Sequence, residues 1–240
     1  MPVDIVLTVI ATSFIQALFG VGVLLFGTPT LLLLGYSFVD TLSVLLPISI
    51  AINALQIVKH YAHIDLEFVK QVLRYTIPPV VLFLVLATKA GIDIAPIVGI
   101  FLILVALKSF FPLRGTAIFQ IVAFPDHYLI VMGIVHGLTN LGGAMLTAIV
   151  HGKSYDKNTT RVTIAVCYAL FALFQLVTLL LSGQQFHLAW SENVTILQIG
   201  IIVFLLTEEF VYSGIDNNKY SRLFAAFLLA SGSLLIIKSL

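Results

Sequence analysis

Long apolar runs separated by short polar clusters fill this chain from end to end. They predict helices at roughly 4–34, 41–60, 69–89, 95–112, 127–150, 160–182, 194–212 and 219–239. All but the first are close to the ~20 residues that cross a bilayer. The joints are equally plain. Lys59 to Arg74 carries His60, His63, Asp65, Glu67 and Lys70, Lys89 to Pro96 is a tight turn, and Gly183 to Asn193 and Ser213 to Asn218 are further turns. The first run is too long for a straight crossing at about 1.5 Å per residue. It must tilt steeply or break, and the breaking residues are Gly20-Val21-Gly22 or Gly27-Thr28-Pro29, because glycine favours non-helical geometry and proline cannot donate to the helix ladder.

A second pattern lies over the first. Gly20, Leu24, Thr30, Gly35 and Ser37 recur 117 residues later as Gly137, Leu141, Thr147, Gly152 and Ser154, and Phe38 returns as Tyr155. The second run is interrupted by Gly133, Gly137, Gly142, Gly143 and Gly152. The fold expected is therefore all-α and polytopic, with about eight transmembrane helices in two homologous four-helix halves, the first helix of each half Gly-interrupted. The halves are residues 1–114 and 127–240, joined by 115–126. Four crossings per half would make them run the same way through the bilayer; one re-entrant element would invert them instead. On eight simple crossings the Lys and Arg residues split six and six, so the positive-inside rule gives no orientation.

Composition narrows the class. Hydrophobic residues make up 60% and charged residues 10% of the 240 positions, against roughly 25% charged in soluble domains. A multi-pass protein of the cell inner (plasma) membrane fits, in contact with lipid throughout. The apolar N-terminal run has no positive n-region and is expected as a retained helix. A net charge of +1 offers no field for nucleic acid, and the single cysteine, Cys167, excludes an intramolecular disulfide. Walker, Rossmann and nucleophile-elbow patterns are missing, and no cofactor or enzymatic activity is expected. His60, His63, Asp65 and Glu67 have a loose metal-like spacing, but no second cluster supports it and no metal is expected.

Polar groups within membrane segments carry the functional signal. A helix that breaks inside the membrane frees backbone N–H groups at the start of its second half, and these with the helix dipole attract an anion. The candidate binding residues are Gly20, Gly22, Gly27, Thr28 and Thr30 at the first interruption. At the second they are His136, Gly137, Thr139, Asn140, Gly142, Gly143 and Thr147. Gln56, Tyr168 and Gln175 are candidate walls; a shift of 119 lays Gln56 on Gln175. His136 is the candidate for proton coupling, since histidine titrates near neutral pH. Arg161, opening the sixth helix, is the candidate cation at the mouth, and Glu208 and Glu209 are expected to anchor at the interface or to pair with Lys219 and Arg222.

The segment Phe19-Gly-Val-Gly-Val-Leu-Leu-Phe-Gly-Thr-Pro29, followed by Thr30 to Gly35, and the segment Gly137-Leu-Thr-Asn-Leu-Gly-Gly143 resemble the TauE/SafE sulfite exporter family, also called the four-plus-four sulfite/sulfonate transporter superfamily. Val23-Leu24-Leu25 stand where that family usually has more glycine, and Leu146 where a proline is common. The resemblance implies secondary transport of sulfite, sulfonates, sulfoacetate or related small organosulfur or inorganic sulfur anions. With the residues above, it leads to an alternating-access carrier with protons as coupling partner. A passive anion channel, or a membrane assembly factor without transport activity, is the alternative. Oligomeric state stays open.

Overall fold

The computed structural model describes residues 1–91, 93–110, 125–153, 155–211, 233 and 236–238. The expected last helix at 219–239 lies largely outside the described residues, as do Ser154, Lys219, Arg222 and most of the connection 115–126. Among the described residues the chain is helical and has no strand. The helices are α1 (Val3–Phe19), α2 (Val23–Leu34), α3 (Phe38–His60), α4 (Leu66–Tyr75), α5 (Ile77–Lys89), α6 (Ala95–Phe110), α7 (Pro125–Thr139), α8 (Gly143–His151), α9 (Lys157–Leu181) and α10 (Trp190–Val211). Among the described residues four stretches are long and apolar enough to cross a membrane: α3 with the turn after it, α4 with α5, α9, and α10. The chain is a multi-pass membrane protein.

Local chemistry sets these boundaries. Ser37 caps α3 by accepting from the Asp40 N–H at 3.1 Å, Asp65 caps α4 through the Phe68 N–H at 3.0 Å, and Asp156 caps α9 through Asn158 and Thr159. Helix α4 buries Phe68, Val69 and Val72 and exposes Glu67, Lys70 and Arg74. At Thr76 the chain passes into α5, whose first turn holds Pro78 and Pro79, and the Thr76 hydroxyl donates to the Leu129 carbonyl of α7 at 3.0 Å.

The first apolar run is two helices that fold back on each other. Gly20, with φ of 74°, ends α1, and α2 returns along it. The Tyr36 hydroxyl, just past α2, donates to the Asp4 carboxylate at 2.9 Å, so both feet of the pair stand at one end of the bundle. Pro29 lies inside α2, not at the break. The reversal needs Gly22, where a Cβ would lie 2.5 Å from the Gln16 nitrogen and 2.7 Å from the Thr12 carbonyl oxygen.

The second apolar run reverses in the same way. Helix α7 ends at Asn140, a non-glycine residue at φ 61°, and α8 begins after Gly142. A Cβ on Gly142 would lie 2.5 Å from His136 Cβ and 2.8 Å from the Met132 carbonyl oxygen. Gly20 thus corresponds to Asn140, Gly22 to Gly142, Gln16 to His136 and Thr12 to Met132, all 120 residues apart. Gly137 is not at a break. It sits within α7, where a Cβ would come 2.6 Å from the Val80 carbonyl oxygen, and with Gly133 it lets α7 lie close against α5.

The two reversals enter from opposite ends. Call the end where α1 begins the near end. Asp40, at the start of α3, accepts from His187, between α9 and α10, at 2.8 Å there, and Lys238 donates to the Leu33 carbonyl at 3.0 Å. At the far end Lys59 reaches Glu208, and the Asp65 N–H donates to Thr163. Helix α5 climbs from far to near. Helix α7 runs parallel to it, with Leu129 by Thr76, Gly133 by Pro79 and Gly137 by Leu84. Lys153, just after α8, is back at the far end, 3.9 Å from Asp65. With that path the cations no longer balance. Lys59, Lys70, Arg74, Lys108, Lys153, Lys157 and Arg161 belong to far-end segments, and only Lys89 and Lys238 of the described residues to the near end. The expected tie arose from counting each reversal as a crossing.

Candidate functional site

Both reversal tips are buried, and one hydrogen bond joins the two pairs: Asn140 Nδ2 of the second donates to Thr28 Oγ1 of the first at 2.9 Å. At the first tip the side chain of Gln16 closes the turn. Its Oε1 accepts from the Val23 N–H at 3.1 Å, and its Nε2 donates to the Gly20 carbonyl at 3.0 Å and lies 3.4 Å from Asn53 Oδ1 on α3. Asn53 in turn donates to the Ser49 carbonyl at 2.7 Å. The amide of Gln16 does the work of an N-cap from the preceding helix. The sequence reading missed this residue. The available signal was a glutamine in an otherwise apolar segment, one turn before Gly20.

At the second tip the corresponding residue, His136, turns elsewhere. Its Nε2 lies 3.1 Å from Gln175 Oε1, while Gln175 Nε2 donates to the His136 carbonyl at 3.5 Å. Reversing the Gln175 amide would set two oxygens together, so His136 Nε2 carries the proton and donates. Nδ1 faces the other way with no partner among the described residues. The Phe171 ring packs on the imidazole at 4.5 Å between centroids, and the Tyr168 hydroxyl lies hard against Gly143, where no Cβ would fit. Thr139 accepts from the Leu141 N–H at 3.2 Å and so holds the turn.

The remaining candidates divide. Thr30 and Thr147 return their hydroxyls to carbonyls of their own helices, Phe26 at 2.7 Å and Gly143 at 2.8 Å, and are not brought to the tips. Gly27 packs on Leu45 of α3, where a Cβ would stand 2.8 Å from either methyl. Gln56 is buried, and neither end of its amide has a partner among the described residues. Its counterpart by position, Gln175, holds His136, whereas Gln16, the counterpart of His136, is engaged at Asn53, one turn before Gln56.

Arg161 lies beside the first tip. Its Nη2 donates to Glu208 Oε1 at 2.9 Å and to the Ala17 carbonyl at 3.3 Å, and its Cγ would stand 3.6 Å from a Cβ on Gly20. Lys59 is 3.5 Å from the same Glu208 oxygen. Glu208 is thus partnered by Arg161 and Lys59; the expected partners Lys219 and Arg222 lie outside the described residues, as does the side chain of Glu209. Nearby, Asp65 accepts from the Tyr155 hydroxyl. Burial works to raise the Asp65 carboxyl, but the Tyr155 and Phe68 donors and Lys153 outweigh it and hold it below the usual value. Among the described residues no three His, Cys, Asp or Glu side chains are grouped to hold a metal ion.

The tips therefore offer neutral donors and acceptors, two helix N-termini and one histidine, with an ion pair at the side. That chemistry can hold a small anion without burying a full compensating charge. No curated protein and no solved structure matches the chain. The family model for the sulfite exporter TauE/SafE matches residues 5–235. With nearly its whole length matched, the chain belongs to the sulfite exporter TauE/SafE family of membrane transporters.

Proposed function

We propose that the chain is a proton-coupled secondary transporter of a small sulfur oxyanion, of sulfite or sulfonate type, in the inner (plasma) membrane. It works by alternating access about the two reversals. The observation that carries this reading is the pair of buried tips, entering from opposite ends and linked by Asn140 and Thr28. In a carrier of this kind, two inverted halves exchange roles as the site opens first to one face and then to the other. Residues 1–114 and 127–240 are those halves, each opening on a re-entrant pair; α3, α4 with α5, and α6 follow it in the first, and α9 and α10 follow it among the described residues of the second. His136 carries the coupling proton: it is buried at the second tip, and among the described residues no carboxylate shares that tip.

Counterflow in proteoliposomes tests the reading. Sulfite, sulfoacetate, taurine, thiosulfate, sulfate and acetate are offered against preloaded anion. Exchange confined to one or two sulfur anions supports the carrier and names its substrate, whereas flux without counterflow identifies a passive channel. No exchange from folded protein removes the substrate assignment.

The cation distribution assigns the far end to the cytoplasm and the start of α1 to the outside. Single cysteines in a Cys167→Ser background check this. An impermeant thiol reagent added to intact cells should label Ser37→Cys and leave Lys153→Cys unlabelled. The reverse pattern would invert the orientation, and labelling of both would break the re-entrant path.

A further inference from the structure

We infer that the ligand sits at the second tip alone, and that Gln16 is a built-in copy of it at the first. The inference takes the ligand's general nature, a small sulfur oxyanion, from the transport reading above. At the offset of 120 residues the two reversals differ in how their turns are closed. At the first tip the amide of Gln16 presents an oxygen to the Val23 N–H and a donor to the Gly20 carbonyl. Both demands of the turn are met within the chain.

At the second tip the same two positions are Gly143 and Asn140. No described residue accepts from the buried Gly143 N–H or donates to the Asn140 carbonyl. The residue that would serve them, His136, is held by Gln175 and leaves Nδ1 without a partner although the side chain is fully buried. Asn140 uses one end of its amide on Thr28 and leaves the other open at 1% exposure. Buried polar groups without partners are rare in folded proteins because each costs its desolvation. Several of them meeting beside Gly142, next to the N-terminus of α8, mark a place filled by something other than protein.

Gln16 also states what that something must look like. Its amide sets an acceptor and a donor side by side on one carbon. A monoprotonated oxyanion does the same on its central atom, with an oxygen for the Gly143 N–H and an O–H for the His136 Nδ1 lone pair or the Asn140 carbonyl. A permanently deprotonated sulfonate supplies only acceptors. The site thus selects hydrogen sulfite over a sulfonate, and the coupling proton assigned to His136 arrives on the ligand and is shared with Nδ1.

Binding and melting of the full chain in detergent decide this, with radiolabelled sulfite as probe. The native chain should bind a single equivalent. His136→Gln, whose amide can turn back to Gly143 and Asn140 as Gln16 does at the first tip, should lose sulfite affinity by at least ~30-fold yet melt at or above the native temperature. Gln16→Ala should melt lower and keep its sulfite affinity within about threefold, which also guards against a His136→Gln chain that fails to fold. Two equivalents per native chain, native affinity in His136→Gln, or methanesulfonate competing as well as sulfite would overturn the inference. Should the native chain bind no sulfite, the substrate reading falls by itself. Melting then decides the tip: His136→Gln above native supports self-capping, and below native overturns it.

Discussion

Gly142→Ala should reduce counterflow by more than ~100-fold, with Gly22→Ala close behind and Gly20→Ala little affected. A single methyl on Gly142 would stand 2.5 Å from His136 Cβ, 2.8 Å from the Met132 carbonyl and 3.2 Å from His136 Cα. None of these atoms is the free end of a flexible side chain, so relief requires α8 to move off α7. Overpacking of this sort costs about 1–3 kcal/mol in a well-packed core, and here it also displaces Asn140 from Thr28 and the α8 N-terminus from Tyr168. Gly22→Ala meets backbone of Gln16 and Thr12 and disturbs the cap rather than the open tip. Gly20→Ala is the control. Its φ of 74° costs an alanine about 1 kcal/mol, but the nearest atom is Arg161 Cγ at 3.6 Å, so the turn keeps its shape. Proteoliposomes with equal amounts of each variant measure the three. Native flux in Gly142→Ala would remove the second tip from transport.

How far the sequence foretold this arrangement depends on what kind of signal each feature leaves. Membrane spans, caps and joints come through as apolar length and as Ser37, Asp65 and Asp156 before helices. A reversal leaves no such mark. An apolar run of some thirty residues reads alike whether it bends once through the bilayer or turns back, and glycine serves equally for a break and for close packing, as Gly22 and Gly137 show. The repeat offset slipped for a related reason. Identity matching pairs Gly20 with Gly137, but the left-handed position of the second turn is filled by Asn140, one of the few residues besides glycine that tolerates it. Helix α8 has 9 residues to the 12 of α2, so beyond the tips the match returns to 117 at Gly35 and Gly152. Gln16 escaped because its role is relational: only the folded turn brings its amide to Val23 and Gly20. The imbalance of cations was hidden by the same missing reversals, since each one shifts every later loop to the other face.

Arg161→Met should leave little folded protein, and adding Glu208→Leu should restore folding without restoring flux. The pair is nearly buried, with the side chains 9% and 10% exposed, and the Arg161 guanidinium also serves the Ala17 carbonyl in the last turn of α1. Removing one member of a buried pair costs about 3–5 kcal/mol, most of it the desolvation of the charge left behind. Lys59 is a weak substitute for Glu208's lost partner, being 56% exposed and 3.5 Å away. Replacing both charges with apolar groups of similar size removes that penalty, and such exchanges are often neutral or stabilising. Folding and flux then part company. If Arg161 only braces the bundle, the double variant transports as well as it folds. If Arg161 also draws the anion in at the far end, the double variant folds, inserts and melts like the native chain but exchanges sulfite at least ~10-fold more slowly at low salt, with the deficit shrinking as ionic strength rises. Yield, melting temperature and salt-dependent counterflow of the single and double variants separate the two roles, because a brace has no reason to respond to screening and a steering charge must.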